Sequence, residues 1–493
     1  MIFKTVTSCP QDIDTVVLYM QYDKTPAFTD AALQNSFDLA LGGDDLDLSA
    51  GTIKSFRIRH AENFINLILA AIDFAKEDEW DAFRKLTLKL GTKLNEWKAE
   101  KIVVDGLMNW MDTDEILRQF SSTLPLCDYA FDKYKEKKAD YTAKEISVFC
   151  PKDVPSMTDS LWEGANLAQG ICIARDLVNE PSDVLTPSEL ADRTAAYGKK
   201  YGFDVEIFDQ EACEKLGMKA FLTVSRGSAY EPKLIVMRYH GKSDTASDSC
   251  NTSDTSQGII GKGLCYDSGG LYLKPGASME HSKADMAGGA AVIGAMCALA
   301  MNKIPVNVTA VVAACENMLD GKGYRNGDIV QTMAGKSVFV GSTDAEGRLT
   351  LADAITYMVR HENVDSIMEL STLTGSCANF FGDVCCGVLT TDDNLYSTLS
   401  NCSKISGEKY WRIPHYDEYR EFIKAENADF HNTSTGGAGG ICAGLFLDEF
   451  KEDKPFIHLD VAGMTFSKKK RDGYPKGGTG YGVKTVYHYI KNN

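Results

Sequence analysis

The sequence predicts an α/β fold shared between more than one domain. Three observations lead there. At 493 residues the chain is too long for a single core, and two or three domains are expected. Short β-rich runs alternate with helical runs along its length, the pattern of sheets covered by helices. The convergent polar motifs all lie downstream of residue 150, so one part of the chain carries chemistry and the other does not.

The elements follow in order. Residues 1–6 read as a first strand; no basic segment followed by a long apolar core marks a signal peptide. Residues 15–19 and 101–104 read as strands, 61–75 and 114–122 as amphipathic helices, and 146–150 as the last strand of an N-terminal α/β domain spanning 1–155. Without a polar constellation, that domain reads as a scaffold. Residues 156–180 read as a connecting helix, and 181–493 as the larger domain. Its first strands are 204–207 and 233–237. Residues 241–257, rich in Ser, Thr and Asp, read as a mobile surface loop. Residues 258–260 give a short strand cue. The Gly/Ala-rich run 286–301 reads as a helix packed closely on a sheet; it is too short to cross a bilayer. Residues 337–340 read as a strand, 351–359 as a helix, 435–439 as a turn, and 441–450 as an apolar helix.

Composition narrows the class. The chain is 44% hydrophobic and 25% charged, ordinary for a globular enzyme. Lys plus Arg number 52 against 69 Asp plus Glu, a net charge of −17. Such a chain is a poor general nucleic-acid partner, because phosphate contacts need clustered cations. Its field modestly attracts the ammonium end of a peptide. Fourteen cysteines are scattered without a C-x-x-C pair, which reads as reduced core thiols and a cytoplasmic setting. The sequons at Asn251 and Asn432 carry no meaning there.

The chemistry gathers in two segments. Ser342-Thr343-Asp344-Ala345-Glu346-Gly347-Arg348-Leu349 places two carboxylates two residues apart and a guanidinium two further on. On an extended segment leaving a sheet edge, all three project to one side. Upstream lie Gly261-Lys262-Gly263-Leu264-Cys265-Tyr266-Asp267-Ser268-Gly269-Gly270-Leu271-Tyr272-Leu273-Lys274 and His281-Ser282-Lys283-Ala284-Asp285-Met286. Asp267, Asp285, Asp344 and Glu346 make four carboxylates, which cannot all ionise in one pocket without compensating charge. A pair of dications supplies that charge, with oxygen ligands suited to it.

These motifs resemble the cytosol aminopeptidase family of leucyl aminopeptidases, peptidase family M17. Its N-T-D-A-E-G-R-L signature has Ser342 here in place of Asn, and its G-K-G-x-x-x-D-S-G-G-x-x-x-K and A-D-M segments are present. Ala174 to Pro181, Cys315 to Met318, Leu351 to Ala354, Thr372 to Gly375 and His458 to Gly463 also fit, so the resemblance spans roughly residues 160 to 490. It implies a two-domain subunit whose C-terminal catalytic domain has a mixed sheet flanked by helices, assembled as a homohexamer. It implies a metal-dependent aminopeptidase that releases N-terminal residues with a two-metal-activated water. Lys262, Asp267, Asp285 and Glu346 are then the ligands of a tighter ion; Asp267, Asp344 and Glu346 hold a more exchangeable one. Zinc or manganese is expected, with magnesium or cobalt as alternatives. Lys274 would stabilise the oxyanion, and Arg348 would hold a bicarbonate that shuttles protons. Ser282, Asp285, Thr372, Leu373, Thr374 and Gly375 would contact a peptide with a free N-terminus. Ser282 stands where the family has an apolar residue, which leaves the preferred first side chain open between leucine and others. A narrow dipeptidase such as a cysteinylglycinase, and a DNA-binding protein with a degenerate site, are the alternatives; the complete acid–lysine set and the negative charge weigh against the latter.

Three motifs invite other readings. Asp267-Ser268-Gly269-Gly270 resembles a serine-protease nucleophile loop, but no His motif accompanies it. Gly261-Lys262-Gly263 lacks the spacing of a P-loop. His281 sits near Asp285 and could be a ligand, but reads as a pocket-rim or structural histidine.

Overall fold

The computed structural model describes every residue except 42–45, 47, 74–78, 110–111, 151–154, 243–255, 471–473 and 493. Most of the expected mobile loop at 241–257, and Asn251 with it, lies outside the described residues. The chain forms two compact units, Met1–Ala168 with Arg471–Pro475, and Gln169–Lys470 with Lys476–Asn493.

In the first unit the order is β1 (Ile2–Val6), β2 (Thr15–Gln21), α1 (Ala31–Leu41), β3 (Thr52–His60), β4 (Asn63–Ile72), α2 (Glu79–Glu96), β5 (Lys101–Asp105), α3 (Thr113–Thr123) and β6 (Glu145–Phe149). The six strands form one sheet in the order β1-β6-β5-β2-β4-β3, parallel except for β3. The helix expected at 61–75 is instead strand β4. Its run from Leu67 to Ile72 is apolar at every position and buried on both faces between β2 and β3. A strand covered on both sides loses the alternation that separates it from a helix. Asp112 caps α3, its side chain accepting from the Glu115 N–H at 2.9 Å.

Helix α4 (Pro155–Asn179) carries the chain across the division. The second unit continues with α5 (Pro187–Tyr201), β7 (Asp204–Phe208), α6 (Gln210–Leu216), α7 (Lys219–Ser225), β8 (Lys233–His240), β9 (Ser256–Asp267), α8 (Gly276–Met279), α9 (Ala287–Met301), β10 (Asn307–Asn317), β11 (Ile329–Gln331), β12 (Ser337–Phe339) and α10 (Gly347–His361). Then come β13 (Ser366–Ser371), α11 (Gly375–Phe381), β14 (Cys386–Leu389), α12 (Asp393–Ser406), β15 (Tyr410–Arg412), β16 (Phe430–His431), α13 (Gly439–Asp448), β17 (Phe456–Asp460), β18 (Phe466–Ser467), β19 (Gly477–Gly478) and α14 (Val483–Lys491). Eight strands form a mixed sheet in the order β15-β14-β17-β13-β9-β10-β8-β7, whose central four are parallel. Buried side chains of α7, α10 and α13 share one core with strands β8, β9 and β10. Helix α9 packs on β9 and β13, with α14 and α5 against it.

Register decides where a site can form. Strand β13 pairs with β9 only as far as Leu370 opposite Gly261, whereas β10 follows β9 to Asn317 opposite Asp267. One side of β9 is therefore free of a neighbour from Lys262 to Asp267. That gap lies at the carboxyl ends of the parallel strands, where open α/β sheets place ligands. No helix among the described residues is long and apolar enough to cross a membrane, and the thirteen described cysteines are all free thiols.

Candidate metal centre

Strand β9 supplies the first residues. The strand cue at 258–260 extends through the whole motif to Asp267. Side chains alternate along it: a Cβ on Gly261 would meet the Gly289 backbone of α9, whereas Lys262 points the other way, against Gly347 at the start of α10. Asp267 ends the strand. Its Oδ1 accepts from the Gly269 N–H at 2.9 Å and from Asn317 Nδ2 at 2.8 Å. The chain then turns back through Gly269 and Gly270, both at positive φ; a Cβ on Gly269 would stand 2.3 Å from the Tyr272 carbonyl oxygen. The turn returns Lys274 to within 2.8 Å of Asp267 Oδ2, and Lys274 also pairs with Asp344.

The signature segment is not the extended piece expected. Strand β12 belongs to a small sheet with β11 and β16, not to the main sheet. Residues 342–346 form a turn, Glu346 is the helical N-cap of α10, and Arg348 lies in its first turn. Asp344 and Glu346 reach the site because the turn is anchored, not because side chains alternate. Thr343 Oγ1 donates to the Gly269 carbonyl at 2.7 Å and accepts from the Tyr272 N–H at 2.8 Å. The Thr343 carbonyl accepts from Tyr324 Oη at 2.7 Å and from Asn317 Nδ2 at 2.9 Å. Ser342 Oγ accepts from the Asp344 N–H at 3.1 Å, so serine keeps a short side-chain acceptor at the position where the family has asparagine.

Asp285 follows a single 3-10 turn at Ser282–Ala284 and precedes α9. Its Oδ1 accepts from Thr372 Oγ1 at 2.7 Å. Its Oδ2 lies 2.7 Å from Lys262 Nζ in an ionic contact without hydrogen-bond alignment. Lys262 Nζ also lies 2.9 Å from Glu346 Oε1 and donates to the Thr372 carbonyl at 3.3 Å. Thr374 caps α11 while its hydroxyl donates to Asp460 Oδ2 at 2.6 Å, which leaves Thr372 to Gly375 as a wall beside Lys262 and Asp285. Leu373 packs against the core within that wall. Ser282 is buried, and its hydroxyl donates to the Ser278 carbonyl at 3.3 Å.

The electrostatics follow from burial. Desolvation, reinforced by Glu346 and Asp285, pushes Asp267 up to about 8; desolvation also raises Asp285, to about 6 against the pull of Lys262, and raises Asp344 against that of Lys274. Burial opposes ionisation of Glu346 too, but Lys262 and Lys274 hold it below its usual value. Burial likewise opposes the charged form of Lys262, yet the facing Asp285, Glu346 and Asp267 outweigh it and keep this lysine cationic. Arg348, stripped of water, is pushed down to about 10, and its Nε has no hydrogen-bond partner.

The residues fit a divalent ion. One carboxylate oxygen each from Asp267, Asp344 and Glu346 lies within 4.8 Å of the others, and Glu346 Oε2 is buried without a partner. Buried oxygen donors in excess of their cations are what hard dications require. The unpartnered Arg348 Nε likewise suits a planar anion. The decoys fall away. Ser268 Oγ donates to the Asn317 carbonyl at 2.8 Å, committed to backbone and not to a histidine. His281 packs against Phe466, with ring centroids 4.8 Å apart and planes tilted by 36°.

An α/β unit that converges buried carboxylates and lysines on the carboxyl ends of its parallel strands is the build of a metal-dependent hydrolase. Comparison with known proteins narrows this. Residues 172–487 match the model of the cytosol aminopeptidase family, catalytic domain. A probable cytosol aminopeptidase of Clostridium perfringens is 37% identical over 460 residues, 92% of each chain. Another, of Fusobacterium nucleatum, is 44% identical over 414 residues, covering 81% of this chain and 83% of that one. The solved structure of the bottromycin maturation enzyme BotP in complex with Mn superposes with a TM-score of 0.84 at 27% identity, covering 97% of this chain and 99% of that one. The chain belongs to the cytosol aminopeptidase family and is a leucyl-type metalloaminopeptidase, a hydrolase of peptide bonds.

Proposed function

We propose that this protein removes the first residue from peptides with a free N-terminus, using two divalent ions held by Lys262, Asp267, Asp285, Asp344 and Glu346. The observation that carries this reading is the three-carboxylate cluster with its unpartnered Glu346 oxygen, flanked by two lysines. When bound, such ions supply Lewis acidity toward the scissile carbonyl and a water acidic enough to attack near neutral pH. The chain's own residues do the rest. Lys274, in contact with both Asp267 and Asp344, would face the oxyanion that develops on the carbonyl. Arg348, buried with a free Nε–H, would hold bicarbonate through its planar fork and so place a proton carrier beside the site. Asp285 with Thr372, Leu373, Thr374 and Gly375 would bind the substrate backbone, and Ser282 would line the pocket for its first side chain. Manganese or zinc suits the donor set, and BotP was solved with Mn. The N-terminal domain, 1–155, would act as a scaffold in a cytoplasmic homohexamer.

The test pairs metal and substrate. Chelated protein, its metal loss confirmed by elemental analysis, should not cleave leucyl amide and should recover with Mn2+ or Zn2+. N-acetyl-leucyl amide should stay intact under both conditions, since acylation removes the amine lone pair. Full turnover by metal-free protein, or equal turnover of the acetylated substrate, would refute the reading.

A further inference from the structure

Asn432 lies 86 residues beyond Glu346 in the sequence, and no motif marks it except a glycosylation sequon. The side chain is fully buried, 0% exposed, so no glycan can be attached in the folded protein. Its carboxamide is spent on the signature turn. Oδ1 accepts from the Gly341 N–H at 2.8 Å and the Ser342 N–H at 3.2 Å. Nδ2 donates to the Ser342 carbonyl at 2.7 Å and the Ala345 carbonyl at 3.2 Å. The backbone explains this placement. Strand β12 pairs in parallel with β16 as far as Phe339 opposite His431, and the Asn432 N–H donates to the Phe339 carbonyl at 3.0 Å. There the ladder ends, and the side-chain amide takes over the role of a peptide group for the next turns of chain. Four bonds from one side chain close the turn on both sides of Asp344: Gly341 and Ser342 precede it, Ala345 follows it.

We propose that Asn432 is a positioning residue of the metal centre: it sets the turn that aims Asp344, and through it the affinity of the more exchangeable ion. The inference rests on the ligand assignment proposed above. Asn432 touches neither metal ligands' oxygens nor substrate; its effect passes through the backbone of residues 341–345. Groups that hold metal ligands from behind typically tune affinity or rate by about 10- to 100-fold. An Asn432→Ala variant should therefore bind Mn2+ about 10- to 100-fold more weakly at one of two sites. Its kcat should fall by a similar factor at saturating metal, with KM for leucyl amide changed by less than about twofold, because the 372–375 wall is anchored elsewhere. Asn432→Ser, which leaves a smaller void, serves if the alanine variant does not fold.

The experiment titrates Mn2+ into metal-free wild type, Asn432→Ala, Asn432→Ser and Asp344→Asn, following free Mn2+ by electron paramagnetic resonance, with kcat and KM measured in parallel. A purely structural asparagine would lower the melting temperature and leave Mn2+ affinity and kcat untouched well below it; that result in either folded variant overturns the proposal. The Asp344→Asn arm separates the two readings. If it too binds Mn2+ as wild type does, the ligand assignment has failed; if it loses an ion while both Asn432 variants do not, only the positioning role has failed.

Discussion

Lys262 shows how one residue can be read from sequence and still hold a surprise. A lysine among acids predicts either charge balance or a metal ligand, and the ligand role needs a neutral amine, against an ordinary pKa of about 10.4. In the structure its ammonium pairs with Asp285 and Glu346, and those charges favour the protonated form. Adjacent dications would reverse that balance, because they disfavour an ammonium beside them. The glycine of the signature belongs to the same contact: a Cβ on Gly347 would stand 2.5 Å from Lys262 Cε. Lys262→Arg should thus fail twice, since a guanidinium cannot become neutral and its larger head does not fit against Gly347. Metal counting should show the tighter ion weakened by at least about tenfold. Lys274→Arg, half-buried and needed only as a cation, should keep normal metal content while turnover drops. Wild-type occupancy in Lys262→Arg would make Lys262 a counter-charge and not a ligand.

At the scale of elements, small residues and buried acids decide how closely the layers pack. The Gly/Ala-rich run is legible in the sequence as a tightly seated helix, and α9 confirms it. A Cβ on Gly288 would lie 2.1 Å from the Leu370 carbonyl oxygen of β13. Helix propensity alone favours Gly288→Ala by about 1 kcal/mol, but overpacking costs about 1–3 kcal/mol. Urea unfolding should show net destabilisation, and because α9 begins two residues after Asp285, metal affinity should fall with it. A stability gain would show that the layers yield. On the opposite face, Asp353 of α10 accepts from the Phe221 N–H at 2.9 Å and the Met333 N–H at 2.7 Å. Burial pushes its carboxyl up to about 7 from 3.8 in spite of those bonds. The folded state then keeps a proton that the unfolded chain releases, so this group's contribution is greatest at low pH and is lost as pH rises through about 7. Metal-free wild type should lose stability relative to Asp353→Asn as pH rises from about 4 to about 7, by at most about 4 kcal/mol, and hold level above that. A difference that stays flat with pH would mean the backbone bonds keep Asp353 ionised throughout. Strand β4 and the signature turn are not legible for a shared reason: local pattern cannot show that β4 is covered on both faces, or that a side chain 87 to 90 residues away holds residues 342–345 in a turn.

Across the whole molecule, every site residue expected from the sequence lies between Lys262 and Gly375, and these and Asn432 all fall inside the second unit, while each unit closes apolar cores of its own. The sequence carried the acids, the lysines and the glycines that shape the site, because those residue types are required by its chemistry. It did not carry Asn432 or the bond from Asn317 to Asp267, because an amide in the right place looks like any other amide until the strands are paired. Separate cores predict separate melting. Calorimetry of the metal-free protein should resolve two transitions. Leu69→Ala, on β4 in the core it shares with Leu18, Leu33 and Phe37, should lower one of them, since deleting a buried leucine costs about 2–5 kcal/mol. Mn2+ should raise the other, because a ligand that binds only the folded state adds about 2.7 kcal/mol at a hundred times its dissociation constant. If Mn2+ raised both transitions equally, or Leu69→Ala lowered the one that Mn2+ raises, the two units would unfold as one cooperative body and the metal centre would draw on the stability of the whole chain.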